Sequence, residues 1–459
     1  MSRHDPNHRL AALLKEADWS AADLARAVNS LGAAQGLDLH YRRTAVAHWL
    51  AGSHPQGAVP HLAAQALSQR IRRLVPVEDT GLTPAVREQL LPRPTPFQEA
   101  DPVLRLNTLA RDDADPARRG FLARTAYTLT AVALPGLPAR IPAQWAGTEQ
   151  RTGAEQRVHS ADIQVLKDMT QTFATLCDRY GGAHARTALA AYLADDATSI
   201  ASAPAPPVLH RQILVQCAQL THLLANMTTD AGHQGLAQQY YRAALSLALN
   251  ADDHTSYAVT LRAMSSQALR LGHAHHAHGL ARAAADAAGP DATPATRAFL
   301  LAQRALTSAA DGDRRGALAD LAAAEQEHGR ATSPPGPFSA YPQAGLEYQH
   351  AQTLYALGDR RGGLAALRDA ARHRPSSRRR LYVLTQASLA DRLLDAGHLE
   401  EACVHLHSLL DHSSQLRSAR ADKALAHLSH RLRSFPRQRQ AAEALERTRE
   451  LWAARPCLA

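Results

Sequence analysis

Apolar side chains return along this chain at three- and four-residue spacings, and β-branched runs are scarce, so helices are predicted almost throughout. Near the start, Asn7 to Ala17 carries Leu10, Leu13 and Leu14 on one face. Ser20 is placed to cap the next helix, with Asp23 three residues on as a capping-box partner and Leu24, Ala25 and Val28 facing inward. A third helix begins near Thr44, has Val46, Trp49 and Leu50 as its apolar set, and stops at Gly52. A fourth runs from His61 to Leu74 with Leu62, Ala66, Leu67 and Ile71 inward. Further on, Ala161 to Tyr180 is amphipathic through Ile163, Leu166, Met169, Phe173 and Leu176. Gly181-Gly182 ends it, and Ala183 to Ile200 returns.

From Arg211 onward a glycine closes one helical pattern and opens the next five times: Gly232, Gly272, Gly312, Gly358 and Gly397. Seven residues before each stands a small side chain: Ala225, Ser265, Ala305, Ala351 and Ala390. Five residues after stand Ala237, Ala277, Ala317, Gly363 and Ala402. Twelve after come Ala244, Ala284, Ala324, Ala370 and the exception, Leu409. Small residues let two helices cross closely, and glycine supplies the tight turn between them. The pattern resembles the tetratricopeptide repeat over roughly residues 211 to 435, most clearly in Gly358, Asp359, Gly363, Leu367, Ala370 and Pro375. It lacks the usual early Trp, and its units exceed the ~34-residue standard. An all-α chain is expected, with an N-terminal helix-turn-helix domain followed by a tetratricopeptide-like α-solenoid. Residues 1–76 form the head, 77–160 a proline-rich linker with an internal apolar helix, 161–207 a helical hairpin capping the solenoid, and 208–459 the repeats.

The head carries a second resemblance. Asp23-Leu24-Ala25, then Thr44-Ala45-Val46-Ala47-His48-Trp49-Leu50-Ala51-Gly52 with Pro55 beyond, looks like the repressor-type helix-turn-helix. Leu31 to Tyr41 separate the two motif helices, where that family uses three or four residues. The resemblance implies a recognition helix that enters the major groove. Its contacts to double-stranded DNA would come from Arg42, Arg43, Thr44, Ala45 and His48, with Ser53 and His54 following. Trp49 reads as core. Asp178-Arg179-Tyr180-Gly181-Gly182-Ala183-His184-Ala185-Arg186 resembles a segment of actinobacterial (streptomycete-type) transcriptional regulators. Those regulators join such a head to such a tail, so the resemblance spans nearly the whole chain.

Charge agrees with an anionic partner without locating it. The formal net charge is +9 and nearly all of it is arginine, the lysines being Lys15, Lys167 and Lys423. Residues 1–76 hold nine Lys/Arg against five Asp/Glu, and residues 371–459 hold sixteen against nine, so no single patch stands out. Cys177, Cys217, Cys403 and Cys457 are scattered, as expected of a reducing cytoplasm. Six prolines between Pro76 and Pro102 mark the connection after the head. Arg118-Arg119 before Ala123 to Leu134 mimics a twin-arginine export signal, but lies over a hundred residues in. The run, about 14 residues, falls short of the ~20 a membrane span needs. An internal helix is expected there, with no membrane partner.

In a tetratricopeptide-like solenoid the first helices of successive pairs line a groove. Distance from the turn glycines places His222, Asn226, Arg262, Ser266, Arg270, Gln303, Tyr348, Gln349, Gln352, Tyr355 and Asp391 on that face. Amides suit a peptide backbone and arginines a carboxylate, so a peptide, protein or small-molecule ligand is expected, with homodimer contacts also supplied by the tail. His273, His275, His276 and His278 point in pairs to different sides, and no metal or other cofactor is expected. No nucleophile elbow, zinc-helix or phosphate-loop pattern occurs, so no enzyme is expected. The two functional classes that survive are a DNA-binding regulator and an adaptor that docks another regulator.

Overall fold

A computed structural model of the chain describes residues 6–34, 39–55, 59–71, 75, 80–82, 101–115, 118, 125, 127–128, 158–289, 292–332 and 341–454. These residues are helical or lie in turns and irregular links, and the chain divides into two compact units, Met1–Pro96 and Phe97–Ala459. Among the described residues no helix is long and apolar enough to cross a membrane.

In the first unit, α1 (His8–Glu16), α2 (Ala21–Ala34), α3 (Arg43–Leu50) and α4 (Val59–Ile71) surround one core. Leu10, Leu24, Val28, Val46, Leu62 and Leu67 are fully buried there. Asn7 starts α1 by accepting the Leu10 N–H. At the head of α2, Ser20 N–H donates to Asp23 Oδ2 at 2.9 Å and Asp23 N–H donates to Ser20 Oγ at 3.3 Å, the reciprocal capping box.

The second unit opens with α5 (Pro102–Ala114), inside the stretch that proline density marks as linker. Asp101 caps it and Pro102 occupies its first turn, where a missing N–H costs nothing. Its Asp113 is fully buried, accepting Arg186 Nη1 at 2.5 Å and the Tyr240 hydroxyl at 2.8 Å. A carboxylate in that position is tolerable only with both partners present, which ties α5 to the helices that follow. The helix expected over Ala123 to Leu134 does not form where it is described. Thr125, Tyr127 and Thr128 are non-helical, and Thr128's backbone N–H and C=O are bonded by the Gln238 amide at 3.1 and 2.7 Å. The remainder of that run lies outside the described residues.

Next come α6 (Ser160–Tyr180) and α7 (Gly182–Tyr192), the latter passing through a π-helical turn, Leu193–Ala197, into α8 (Thr198–Ser202). Antiparallel pairs follow: α9 (Pro207–Asp230) with α10 (Gln234–Asn250), α11 (His254–Arg270) with α12 (Ala274–Ala287), and α13 (Pro294–Ala310) with α14 (Arg314–Gly329). Then come α15 (Gln343–Ala356) with α16 (Arg360–His373), α17 (Arg379–Asp395) with α18 (Leu399–Asp411), and α19 (Ala419–Leu432) with α20 (Arg439–Ala454). This is a tetratricopeptide-like helical repeat. The five turn glycines all have φ between +81° and +96°. The N–H just after each bonds back five residues (His233 to Thr228, His273 to Ala268, Asp313 to Ser308, Asp359 to Leu354, His398 to Leu393) at 2.9–3.1 Å, the helix-ending geometry that glycine permits. The small residues flanking these turns are buried in the helix crossings. Ser265 shows how close they come: its hydroxyl donates to the Ala277 carbonyl of the facing helix at 2.7 Å.

The row of pairs does not stay open; its far end returns to α6 and α7. Arg417 N–H donates to the Tyr180 carbonyl at 2.7 Å, and Ala183 N–H donates to the Arg417 carbonyl at 3.1 Å. Asp178 accepts Arg378 Nε at 2.8 Å and Arg380 Nη2 at 3.2 Å. Asp230, 1 % exposed, accepts Gly182 N–H at 2.8 Å and Ser418 Oγ at 2.9 Å, with Arg380 Nη1 3.7 Å away. The glycine pair is what lets these backbones meet. A Cβ on Gly181, whose φ is +88°, would lie 2.4 Å from the Arg417 carbonyl oxygen, and one on Gly182 would lie 2.6 Å from that of Met227.

Gly181→Ala and Gly272→Ala separate turn strain from closure. Gly272 also has φ +88°, but nothing lies within 4 Å of its added Cβ, so its substitution should cost about 1–2 kcal/mol. Gly181→Ala should cost clearly more. Urea unfolding of both variants measures the difference, and equal losses would mean the ends do not meet in solution.

Candidate functional site

Polar side chains gather on two surfaces. The first is the outer face of α3. Asn29 of α2 sets where that helix begins: its Nδ2 donates to the Tyr41 carbonyl at 2.8 Å, and its Oδ1 accepts the Tyr41 N–H at 2.9 Å. Tyr41 in turn packs edge-on to Trp49, ring centroids 5.2 Å apart, with Trp49 buried. Because Val46 and Trp49 hold the inner face, Arg43, Thr44 and His48 are exposed on the other, together with Arg42 just before the helix and His54 after it. Ala45 and Ser53 are half-buried. Neither Arg42 nor Arg43 forms an ion pair among the described residues. Asn29 carried no sequence signal, since its role depends on a residue twelve positions away.

The second surface is internal. The inner face of the second unit lines a half-open cavity of about 1020 Å³. Of the residues that sequence places on the groove face, His222, Asn226, Arg262, Ser266, Arg270, Tyr348 and Gln349 line it. Gln303, Gln352, Tyr355 and Asp391 do not. Gln303 lies beneath the wall, donating to Ser265 Oγ at 3.2 Å and accepting Gln349 Nε2 at 2.8 Å. Gln352 donates to Ser388 at 3.3 Å. Tyr355 is covered by the Arg392 guanidinium, 4.6 Å from its ring centroid. Asp391 accepts Arg431 Nη1 at 2.6 Å and lies 3.1 Å from His427. Distance from a turn glycine fixes the face of a helix, but not which neighbour covers it.

Closure contributes a further set that sequence analysis missed. Arg374 and Arg378 reach the cavity from the link before α17, Arg379 and Arg380 from its first turn, Arg420 from α19, and Arg179 with Asp178 from the end of α6. The one available signal was Arg378-Arg379-Arg380, the chain's single run of three arginines. Phe299 and Tyr341 complete an aromatic side, with Arg262 stacked 3.7 Å above the Phe299 ring centroid.

Among the described residues eight arginines line the cavity against one carboxylate, Asp178, a surplus of seven positive charges at the wall. Asp230, just behind it, offsets one more. Burial pushes the Arg262 guanidinium down to about 10. Burial, and then Arg420 beside it, push Arg270 down to about 9, although Arg270 keeps contact with solvent in the cavity. Burial also lowers Arg374, with Arg378 adding to the effect. Arg420 is lowered by burial in spite of Asp230. Guanidinium stays protonated at neutral pH, so these directions express a cost of holding charge there. The Nε atoms of Arg262, Arg374 and Arg380 are buried without a hydrogen-bond partner among the described residues. His222 is buried, bonded through Nδ1 to Thr260 Oγ1 at 3.0 Å, and burial followed by Arg262 drives its pKa down to about 3.

Residues 10–83 match the family model described as the SP15 N-terminal domain. No curated protein matches the chain. A chain of the crystal structure of the APC/C hetero-tetramer Cut9-Hcn1 is similar at 15 % identity, covering 63 % of this chain and 47 % of that one, with a TM-score of 0.33. The chain therefore spans under half the length of that relative.

His222 gives a pH test. Its folded pKa lies below its ordinary value of 6.5, so the unfolded chain takes up a proton that the fold refuses. Stability is complete above pH 6.5 and falls as pH drops, by about 2 kcal/mol between pH 6.5 and about pH 5. Urea titrations of the parent and His222→Gln at both pH values should show that much less acid loss in the variant. An identical loss would mean His222 is not held neutral.

Proposed function

We propose that this protein is a regulator whose first unit binds double-stranded DNA and whose helical-repeat unit takes up a ligand that tunes that binding. The observation that carries the DNA reading is the exposed set Arg42, Arg43, Thr44 and His48 on a helix whose opposite face is locked in the core. A helix of eight residues is about 12 Å long, short enough to lie in a major groove about 12 Å wide. Arg42 and Arg43 precede the helix or open it, where recognition helices place their base and phosphate contacts. The resemblance to repressor-type heads supports the same assignment, although α2 ends at Ala34, well short of the α3 start at Arg43. One small head buries too little surface for useful selectivity, so the DNA-bound form is a homodimer.

The ligand's role follows from population shift: it alters DNA affinity only if it binds one arrangement of the repeat unit more tightly than another. The closed wall is a two-ended element suited to that, because the cavity arginines and the closure contacts share Arg378 and Arg380. The competing reading is an adaptor whose first unit docks a protein instead of DNA. It is favoured by the tetratricopeptide-like repeat, an architecture that commonly presents binding surfaces.

Mapping the chromosomal sites occupied by the tagged protein, together with the salt dependence of binding to the recovered DNA, decides between them. The double variant Arg42→Ala, Arg43→Ala should weaken binding at least tenfold and lower the slope of log K against log salt by about 2, close to one unit per lost phosphate contact. Discrete sites with that response support the regulator. An unchanged affinity and slope would transfer the reading to the adaptor.

A further inference from the structure

We propose that the central cavity of the repeat unit binds a small, multiply phosphorylated ligand of the nucleotide class. The inference rests on the cavity alone and stands whether or not the first unit binds DNA.

Charge comes first. Arg262, Arg270, Arg374, Arg379 and Arg420 converge on one half-open space and none of them has a carboxylate partner among the described residues. Their neutral contacts are Ser266 for Arg270 at 2.8 Å, the Ala344 carbonyl for Arg374 at 2.7 Å, Gln415 for Arg379 at 2.9 Å and the Phe299 face for Arg262. Each contact uses part of a five-donor fork and neutralises nothing. Arg374 is 7 % exposed and keeps an unpartnered Nε. Of the five only Arg374 is buried, where a charge without an anionic partner costs several kcal/mol; Arg262, Arg379 and Arg420 are half-buried and Arg270 is exposed, all facing the same space. A mobile counter-anion is the missing component.

Its chemistry follows from how much charge the space demands. A single carboxylate, as on the end of a peptide, would offset one of the six positive charges that Asp178 and Asp230 leave among the described residues. Two or three linked phosphates offset several within a few ångströms, and guanidinium forks match phosphate oxygens in bidentate geometry. The other side of the space is aromatic: Tyr348 and Phe299 are half-buried, with Arg262 on one face of Phe299, and Tyr341 and Tyr241 are buried behind them. A half-exposed ring such as Tyr348 can take a planar base by stacking. About 1020 Å³ lies at the upper end of ordinary small-ligand pockets, so a nucleotide fits with water to spare. Cationic edge, aromatic shelf and volume agree on one ligand class.

Calorimetry on the full chain, in magnesium-free buffer at about 0.1 M salt, tests this with ATP and inorganic tripolyphosphate as probes and tetraglutamate as the carboxylate comparator. Both phosphate probes should bind and raise the melting temperature, with ATP tighter through its base. Arg270→Ala and Arg420→Gln should each weaken tripolyphosphate at least tenfold while the helical circular dichroism is unchanged. Tyr348→Leu should cost ATP more than tripolyphosphate. The Arg42→Ala, Arg43→Ala chain should bind both probes as the parent does. No heat with either phosphate probe at millimolar concentration would overturn the proposal. So would binding as tight by tetraglutamate, or binding that the cavity variants leave intact and the first-unit variant removes.

Discussion

The second unit depends on the meeting of its two ends around Asp230. That carboxylate closes α9, is cut off from water, and takes its hydrogen bonds from Gly182 of one end and Ser418 of the other. In the closed arrangement both donors are needed, because a carboxylate buried there without them would cost several kcal/mol. The backbone exchange between Tyr180, Ala183 and Arg417 fixes the position of the contact, and Gly181 leaves the room for it. Without closure the repeat would be an open row of helix pairs with a polar inner face.

Closure changes the physics of that inner face. Side chains that would be solvated on an open row are brought opposite one another across a confined space, and arginines from α6, the link before α17, and α19 are added to those of α11. Confinement raises the energy of like charges by reducing their hydration and shortening their separations. That is why Arg262, Arg270, Arg374 and Arg420 all titrate lower than a free guanidinium. An anion entering the space would relieve this repulsion, and because Arg378 and Arg380 also hold Asp178, its binding would act on the same contacts that join the ends.

The first unit works on a different principle. It spends its apolar residues on a small core and leaves the basic edge of α3 to solvent, where surface charge costs little. Orientation of that edge depends on Asn29, which fixes the Tyr41 backbone, and on the Tyr41–Trp49 contact behind it.

Local chemistry made much of this protein legible. Turn glycines with small residues at fixed distances specify close helix pairs through backbone conformation and side-chain size alone, and the observed φ values and crossings follow from those two properties. Capping by Ser20 and Asp23, and the inward set of each helix in the first unit, were likewise written in neighbouring residues. What sequence could not supply was any interaction between residues far apart in the chain. Asp113 became a core residue because Arg186 and Tyr240 reach it, Gln303 and Asp391 left the groove because neighbouring helices cover them, and α5 emerged from an apparent linker because it had a core to join. Closure between residues about 200 positions apart, and with it the cationic cavity, was settled only by the accumulated rotation of successive helix pairs, a sum of small packing angles that no local pattern records.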